Sequence, residues 1–481
     1  MNPLADMEEW KDGLSAAAED APNFETQHEQ RIEEMSRLLE EKQMKRLQSV
    51  LEETEEFEVA EFLMALPPHQ MATVFRMLSK EQGAAVFAEL DAQEQEYIIN
   101  TITDSELGSI LDELYLDDTV DMMEELPANV VKRVMRIATP QTRALINQYL
   151  KYPENSAGSI MTAEFIDLKK YMTVKESFAR IRRLAADMET IYTCFVTSGD
   201  RKLEGTVTVK DLIMADESAV IESIMDSSAV FCRTTDDQED VSGMFSDYDL
   251  LALPVVDREN RLVGIVTVDD VMDVMEQEAT EDIEAMAAIK PSTRPYLKTG
   301  VLSLWRNRIP WLLLLMVSAT FTGMIITSFE DALAAQVALT AFIPMLMDTG
   351  GNSGSQSSVT IIRGLSLGDL EFSNFLQVIW KEIRVALLCG ATLAAATFLK
   401  VLLIDRLLLG NDSITILVAV TVCLTMLVTV VCAKIVGCSL PMLAEKVGLD
   451  PAVMASPFIT TIVDAVSLLI YFNIAKALLH I

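Results

Sequence analysis

The sequence predicts a multi-domain α + α/β membrane protein: a helical, solenoid-like N domain, a tandem α/β repeat, an acidic connecting helix and five transmembrane helices. Three observations predict it. Residues 1–300 hold 61 Asp/Glu against 28 Lys/Arg, whereas residues 301–481 hold 11 against 10. LEGTVTVKDLIMAD (203–216) matches LVGIVTVDDVMDVM (262–275) at a shift of 59 residues. After residue 300 come five apolar runs, each near the ~20 residues a helix needs to cross the hydrocarbon of a bilayer.

Residues 1–30 read as a flexible extension, and 1–20 have neither the basic start nor the apolar run of a secretory leader. The N domain spans 31–150. A charged helix is expected at about 30–55, and then apolar residues recur at three and four, broken by Pro or Asp, as in FLMALPPHQMATVFRML. Short helix hairpins stacked into a small solenoid fit that pattern. The tandem repeat occupies 151–275, each copy running helix, strand, turn, strand, helix. Gly205 pairs with Gly264, Thr208 with Thr267 and Asp211 with Asp270. Residues 276–300 form the acidic connecting helix and linker. Along 270–282, Asp270, Asp273, Glu278, Glu281 and Asp282 crowd like charges that divalent cations would relieve; a solvated connecting helix is the other reading.

The membrane region is 301–481, with spans at about 309–329, 335–361, 383–404, 413–440 and 455–478. Arg306 and Arg308 precede the first span. Arg363, Lys381 and Arg384 flank the second link, and Lys446 lies before the fifth span. The positive-inside rule therefore places the acidic region in the cytoplasm and Ile481 outside.

Polar residues inside spans are expensive unless they face a bundle interior or a water-filled cavity. PMLMDTGGNSGSQ (344–356) supplies oxygens from Asp348, Asn352, Ser353 and Gln356. Pro344 is expected to free a carbonyl one turn earlier. Gly350, Gly351 and Gly354 permit close packing or an irregular backbone. In the fifth span Asp464 shares a helical face with Thr460 and Thr461, with Ala465 beside it. Lys434, the nearest basic candidate, reads as cytoplasmic-end, which leaves Asp464 without a partner. Oxygen donors with one negative charge suit a hard cation such as Mg²⁺.

A net charge of −34 argues against nucleic acid as a partner and concentrates cations. The six cysteines form no CxxC pair and read as reduced, mostly buried thiols. No nucleophile–base pair or phosphate loop appears, so an enzyme is not expected. A membrane-anchored Mg²⁺ or nucleotide sensor without a pore, and a secondary transporter for another divalent cation, stay open on the residues alone.

PMLMDTGGNSGSQ (344–356), DPAVMASPFITTIVDAVSLLIYF (450–472) and VTVDDVMDVMEQEATED (266–282) resemble the MgtE family of magnesium channels and transporters over nearly the whole chain. The resemblance implies that the tandem repeat is a CBS pair and that the protein is a homodimer in the plasma or inner membrane. One central pore would lie on the twofold axis. Asp464 then holds largely hydrated Mg²⁺, with Asn352, Gly351, Thr461 and Ala465 in the pore wall. It also implies closure by cytoplasmic Mg²⁺ at Asp270, Asp273, Glu278, Glu281, Asp282, Asp237, Glu239 and Asp450. Some CBS pairs of the family bind ATP, and no residue here specifies that ligand.

Overall fold

A computed structural model describes residues 24–292, 296–297, 299–410, 414–454 and 456–480. Most of the expected N-terminal extension, Asp412 and Ile481 lie outside the described residues. The chain divides into two compact units, Met1–Met272 and Asp273–Ile481.

The first unit opens with ten α-helices: α1 (Phe24–Glu40), α2 (Met44–Glu52), α3 (Glu56–Met64), α4 (Pro68–Phe75) and α5 (Lys80–Ala88), then α6 (Ala92–Thr101), α7 (Asp104–Leu111), α8 (Leu116–Glu125), α9 (Ala128–Ile137) and α10 (Pro140–Tyr149). The single charged helix expected at 30–55 is two helices. Lys42 adopts φ 57°, and this left-handed residue turns α1 back onto α2. Local chemistry sets the other boundaries. Ser79, Thr103 and Thr139 cap α5, α7 and α10, while Pro68 and Pro140 occupy first turns, where a missing N–H is harmless. Apolar faces meet in one core through Phe62, Phe87, Ile98, Leu107 and Val120, continuous with Val255, Val266 and Val271 of the repeat region.

Each repeat builds a three-stranded mixed sheet. In the first, β1 (Phe165–Leu168), α11 (Val174–Leu184), β2 (Thr190–Thr197), β3 (Leu203–Thr208) and α12 (Val209–Met214) follow in order. In the second, β4 (Cys232–Arg233), α13 (Gln238–Tyr248), β5 (Ala252–Val256), β6 (Leu262–Thr267) and α14 (Val268–Met286) do the same. The first two strands of each sheet pair in parallel and the last two antiparallel. The repeated Thr and Asp have a structural role: Thr208 and Asp211 form a capping box at α12, and Thr267 Oγ1 donates to Asp270 Oδ2 at 2.5 Å. The repeated glycines share a reason too. A Cβ at Gly205 would run into Asp226 O, and one at Gly264 would lie 2.7 Å from Thr162 O. α14 continues without a break through the expected domain boundary at 275/276.

The second unit is helical beyond the end of α14. It contains α15 (Val301–Ser328), the short α16 (Glu330–Ala335), α17 (Ile343–Ser366), α18 (Phe375–Lys400), α19 (Ile416–Lys446) and α20 (Ser456–Leu479). α18 continues into a π-helical stretch, Val401–Leu408. Among the described residues, four helical stretches are long and apolar enough to cross a membrane: Val301–Ser328, Phe372–Leu408, Ile416–Lys446 and Pro451–Leu479. α17 is not one of these four, because its polar residues break the apolar run. At 24 residues it is nevertheless about 36 Å long, and it packs against α19 and α20. The apolar run that suggested a span from 335 begins with the end of α16 and a 3₁₀ turn, Val337–Phe342.

Tyr471 and Phe472 centre the core of this unit with Leu339, Leu346 and Met426. The Tyr471 hydroxyl donates to Leu339 O at 2.9 Å. All six cysteines are free; Cys194, Cys232 and Cys438 are buried, Cys423 and Cys432 half-buried, and Cys389 is exposed.

Candidate functional site

α17 is an unbroken helix, so its glycines serve packing rather than an irregular backbone. Pro344 lies in the first turn, and the freed interior carbonyl expected of it does not exist. An ideal Cβ on Gly437 of α19 would strike Gly354 O and sit 2.9 Å from Gly354 C. A Cβ on Gly351 would lie 3.1 Å from Thr460 Cγ2 on α20, and one on Gly350 would lie 2.8 Å from Ser467 Oγ. Small residues thus let α17 approach two neighbours at once.

With that face buried, the polar face is left outward. Asp348, Asn352 and Gln356 are spaced by four and exposed on the protomer. Asn352 Nδ2 donates to Asp348 Oδ1 at 3.1 Å. This bond orients the amide so that its oxygen points away from the carboxylate. On α20, Asp464 is half-buried and feels the charge of Asp348. Among the described residues no Lys or Arg forms an ion pair with Asp464.

The structure therefore brings Asp464, Asn352 and Gly351 to neighbouring faces of α17 and α20. Thr461 and Ala465 instead line an apolar groove of about 340 Å³ with Leu314, Ser318 and Phe321 of α15. The Thr460 and Thr461 hydroxyls both donate to Pro457 O at 3.0 Å.

Lys434 does have a partner. It is 5% exposed and lies 3.7 Å from Glu382 of α18, a carboxylate that sequence reasoning passed over because Lys381 and Arg384 made its surroundings look like a basic flank.

The acidic residues fall into separate places. Within the first unit, half-buried Asp270 belongs to a crowd of carboxylates that includes Asp117, Asp118 and Asp121 of α8 and Glu189 before β2. Burial, then repulsion from Asp270, holds Asp117 well above the usual carboxylate range and pushes Asp118 up to about 6. Glu189 is pushed up to about 8, by burial first and then by Asp270 and Asp269. Asp121 reaches solvent, and partial burial with Glu124, Asp118 and Asp270 moves it up to about 7; solvent makes its contribution the weakest. LDDTVDMMEE (116–125) is the signal that could have identified these residues. Among the described residues, no three carboxylate, His or Cys groups converge at metal-ligating distance.

Asp237 caps α13, accepting from Glu239 N at 2.9 Å, and both side chains are exposed. In the second unit, Asp282 accepts from Ser366 Oγ at 3.3 Å at the end of α17. Burial and the nearby Asp450 raise Asp282. Asp450 itself accepts from Ala452 N at 2.7 Å. Two acidic residues distant in sequence thus meet at the base of α17 and α20. Asp273 is exposed, while Glu278 and Glu281 are half-buried on α14.

Among the described residues, helices long and apolar enough to cross a membrane, two of them packed on one polar helix, define a membrane protein. Comparison with known proteins gives its family. Residues 343–474 match MgtE, divalent cation transporter, residues 54–155 match the MgtE intracellular N domain, and residues 221–277 match the CBS domain. The magnesium transporter MgtE of Thermus thermophilus is 39% identical over 369 residues, covering 76% of this chain and 80% of that one. The crystal structure of the soluble part of a magnesium transporter aligns at 28% identity and a TM-score of 0.50, covering 52% of this chain and 99% of that one. The cytosolic domain of the Mg²⁺ channel MgtE in complex with ATP aligns at 37% identity and a TM-score of 0.48, covering 50% and 98%. The chain belongs to the MgtE family of magnesium transporters and is not an enzyme.

Proposed function

We propose that the protein conducts Mg²⁺ into the cytoplasm down its electrochemical gradient, through a pore lined by α17 and α20 of two subunits. In this reading α17 also spans the membrane, second in order of five, and the acidic region is cytoplasmic. The carrying observation is the outward polar face of α17, Asp348–Asn352–Gln356, beside the half-buried Asp464. Hydrocarbon cannot cover that face without a large penalty. A second copy meeting it across a twofold axis would enclose a negative, oxygen-lined path. Two Asp464 carboxylates favour a divalent over a monovalent ion. Outer-sphere contact spares the firmly held water of Mg²⁺. An inward-negative potential drives entry without ATP hydrolysis.

The acidic groups supply a closing mechanism. The carboxylates around Asp270 repel one another and favour protonation, which hydrated Mg²⁺ would relieve by bridging through water. Asp282 and Asp450 place a like pair at the base of the pore helices. The packed arrangement would then bind Mg²⁺ better than a separated one, the difference that regulation requires. The test is recording from purified protein in planar bilayers. Mg²⁺ current should follow driving force without a counter-ion and fall as Mg²⁺ rises on the side of the acidic unit. Strict dependence on a counter-ion gradient would favour a secondary transporter; absence of flux would favour a pore-less sensor.

A further inference from the structure

The opposite face of α17 holds a second polar constellation, which the pore reading does not use. Ser357 is 2% exposed, and its hydroxyl donates to Glu382 of α18. Lys434 of α19, 5% exposed, donates from Nζ to Ser357 Oγ at 3.2 Å and lies 3.7 Å from Glu382 Oε2. The Glu382 side chain is 13% exposed. Counting residues to the near helix ends, Ser366, Phe375 and Lys446, the three groups sit roughly 10–18 Å inside. So buried, neither charge can be left alone, and the contacts have a directionality that apolar packing lacks.

We propose that Glu382 and Lys434, bridged by Ser357, are positioning residues that set the rotation and height of α17. The inference rests on the reading of α17 as a pore wall. The need for such a device follows from the residues of α17 itself. Its packed face carries Ile343 and Leu346 at one end and Ile361 and Ile362 at the other, but between them only Gly350, Gly351, Ser353, Gly354, Ser357 and Ser358, a central stretch with few side chains to fix its rotation. A slip of one residue turns the helix by about 100°, enough to carry Asn352 and Asp348 off the exposed face and away from Asp464. An ion pair that reaches from two other helices to one serine admits a single register. The two charges cancel, so the lysine behind the wall does not oppose a cation passing in front of it.

The experiment compares purified full-length proteins in liposomes: wild type, Glu382→Gln, the neutral double Glu382→Gln/Lys434→Met, and the swapped Glu382→Lys/Lys434→Glu. Readouts are Mg²⁺ uptake, the ratio of Mg²⁺ to Na⁺ flux, and thermal stability. The neutral double carries no lone charge; it should fold with near-wild-type stability yet lose about tenfold in the Mg²⁺ to Na⁺ ratio, the scale of coupling within one network. The swapped pair should restore most of that ratio. Glu382→Gln should lose both uptake and stability. A neutral double that folds with wild-type uptake and selectivity overturns the proposal, as does one that fails to fold, which would make the pair a requirement for assembly alone. Asp464→Ala, run alongside, separates the two readings. If that variant conducts as wild type, the pore assignment fails; if it loses uptake while the neutral double does not, only the positioning role fails.

Discussion

The carboxylates around Asp270 make a quantitative prediction about pH. The perturbation is a rise from about pH 5 to about pH 8 without divalent cations. Moving Asp118 from 3.8 to about 6 makes its ionised form about 3 kcal/mol less favourable in the packed unit than in an unfolded chain, somewhat under half of which is lost above pH 5. Glu189, raised from 4.5 to about 8, adds a comparable amount once solvent screening is discounted. The unfolded chain is already deprotonated over this window, so the packed state binds more protons and must lose stability as pH rises. Several kcal/mol correspond to a fall in Tm on the order of 10 °C for a unit of this size. Mg²⁺ supplies the missing positive charge, so its stabilising effect should grow over the same window. Calorimetry of the full-length protein in detergent, with and without millimolar Mg²⁺, measures both trends. Asp270→Asn should flatten them, because Asp270 repels Asp117, Asp118 and Glu189 together. A Tm that is flat or rising with pH in the absence of Mg²⁺, or a Mg²⁺ gain that shrinks with pH, would refute the reasoning.

Three other outcomes are expected. Gly437→Ala forces α19 away from the Gly354 backbone and should destabilise the membrane unit by about 1–3 kcal/mol, read as a lower detergent Tm together with reduced uptake. Asp348→Ala frees the Asn352 amide and should weaken Mg²⁺ preference in flux-ratio assays while leaving the Tm unchanged. Asp273→Asn with Glu281→Gln should leave the pore conducting at high internal Mg²⁺, which patch recordings over stepped internal Mg²⁺ would reveal; closure as in wild type would remove those residues from gating.

Much of the fold was legible because it is written in local pattern. The step in charge near residue 300, the 59-residue repeat and the long apolar runs each reflect neighbours along the chain. The repeated Thr208–Asp211 and Thr267–Asp270 pairs were visible too, though their meaning as helix caps required the structure. Interactions that join distant residues were hidden. Asp118 and Glu189 meet Asp270 across a large sequence separation, and Asp117 lies in a stretch that reads simply as an amphipathic helix. Glu382 and Lys434 were obscured for a different reason. Glu382 stands among basic residues that mark a membrane edge, and the partners of Lys434 lie on other helices. The start of α17 was misplaced because the residues before it are apolar without being part of the same helix. In the proposed pore wall the sequence singled out Asp464 and Asn352, whereas the division of α20 between Thr460, facing Gly351, and Thr461 with Ala465, facing α15, depends on which helices pack on either side.

Mg²⁺ flux into liposomes under an imposed inward-negative potential, wild type against Asp464→Ala, is the decisive measurement of whether this carboxylate lines the conducting path. The variant should fold normally and lose most Mg²⁺ flux. A correctly folded variant with undiminished, equally selective flux would contradict it.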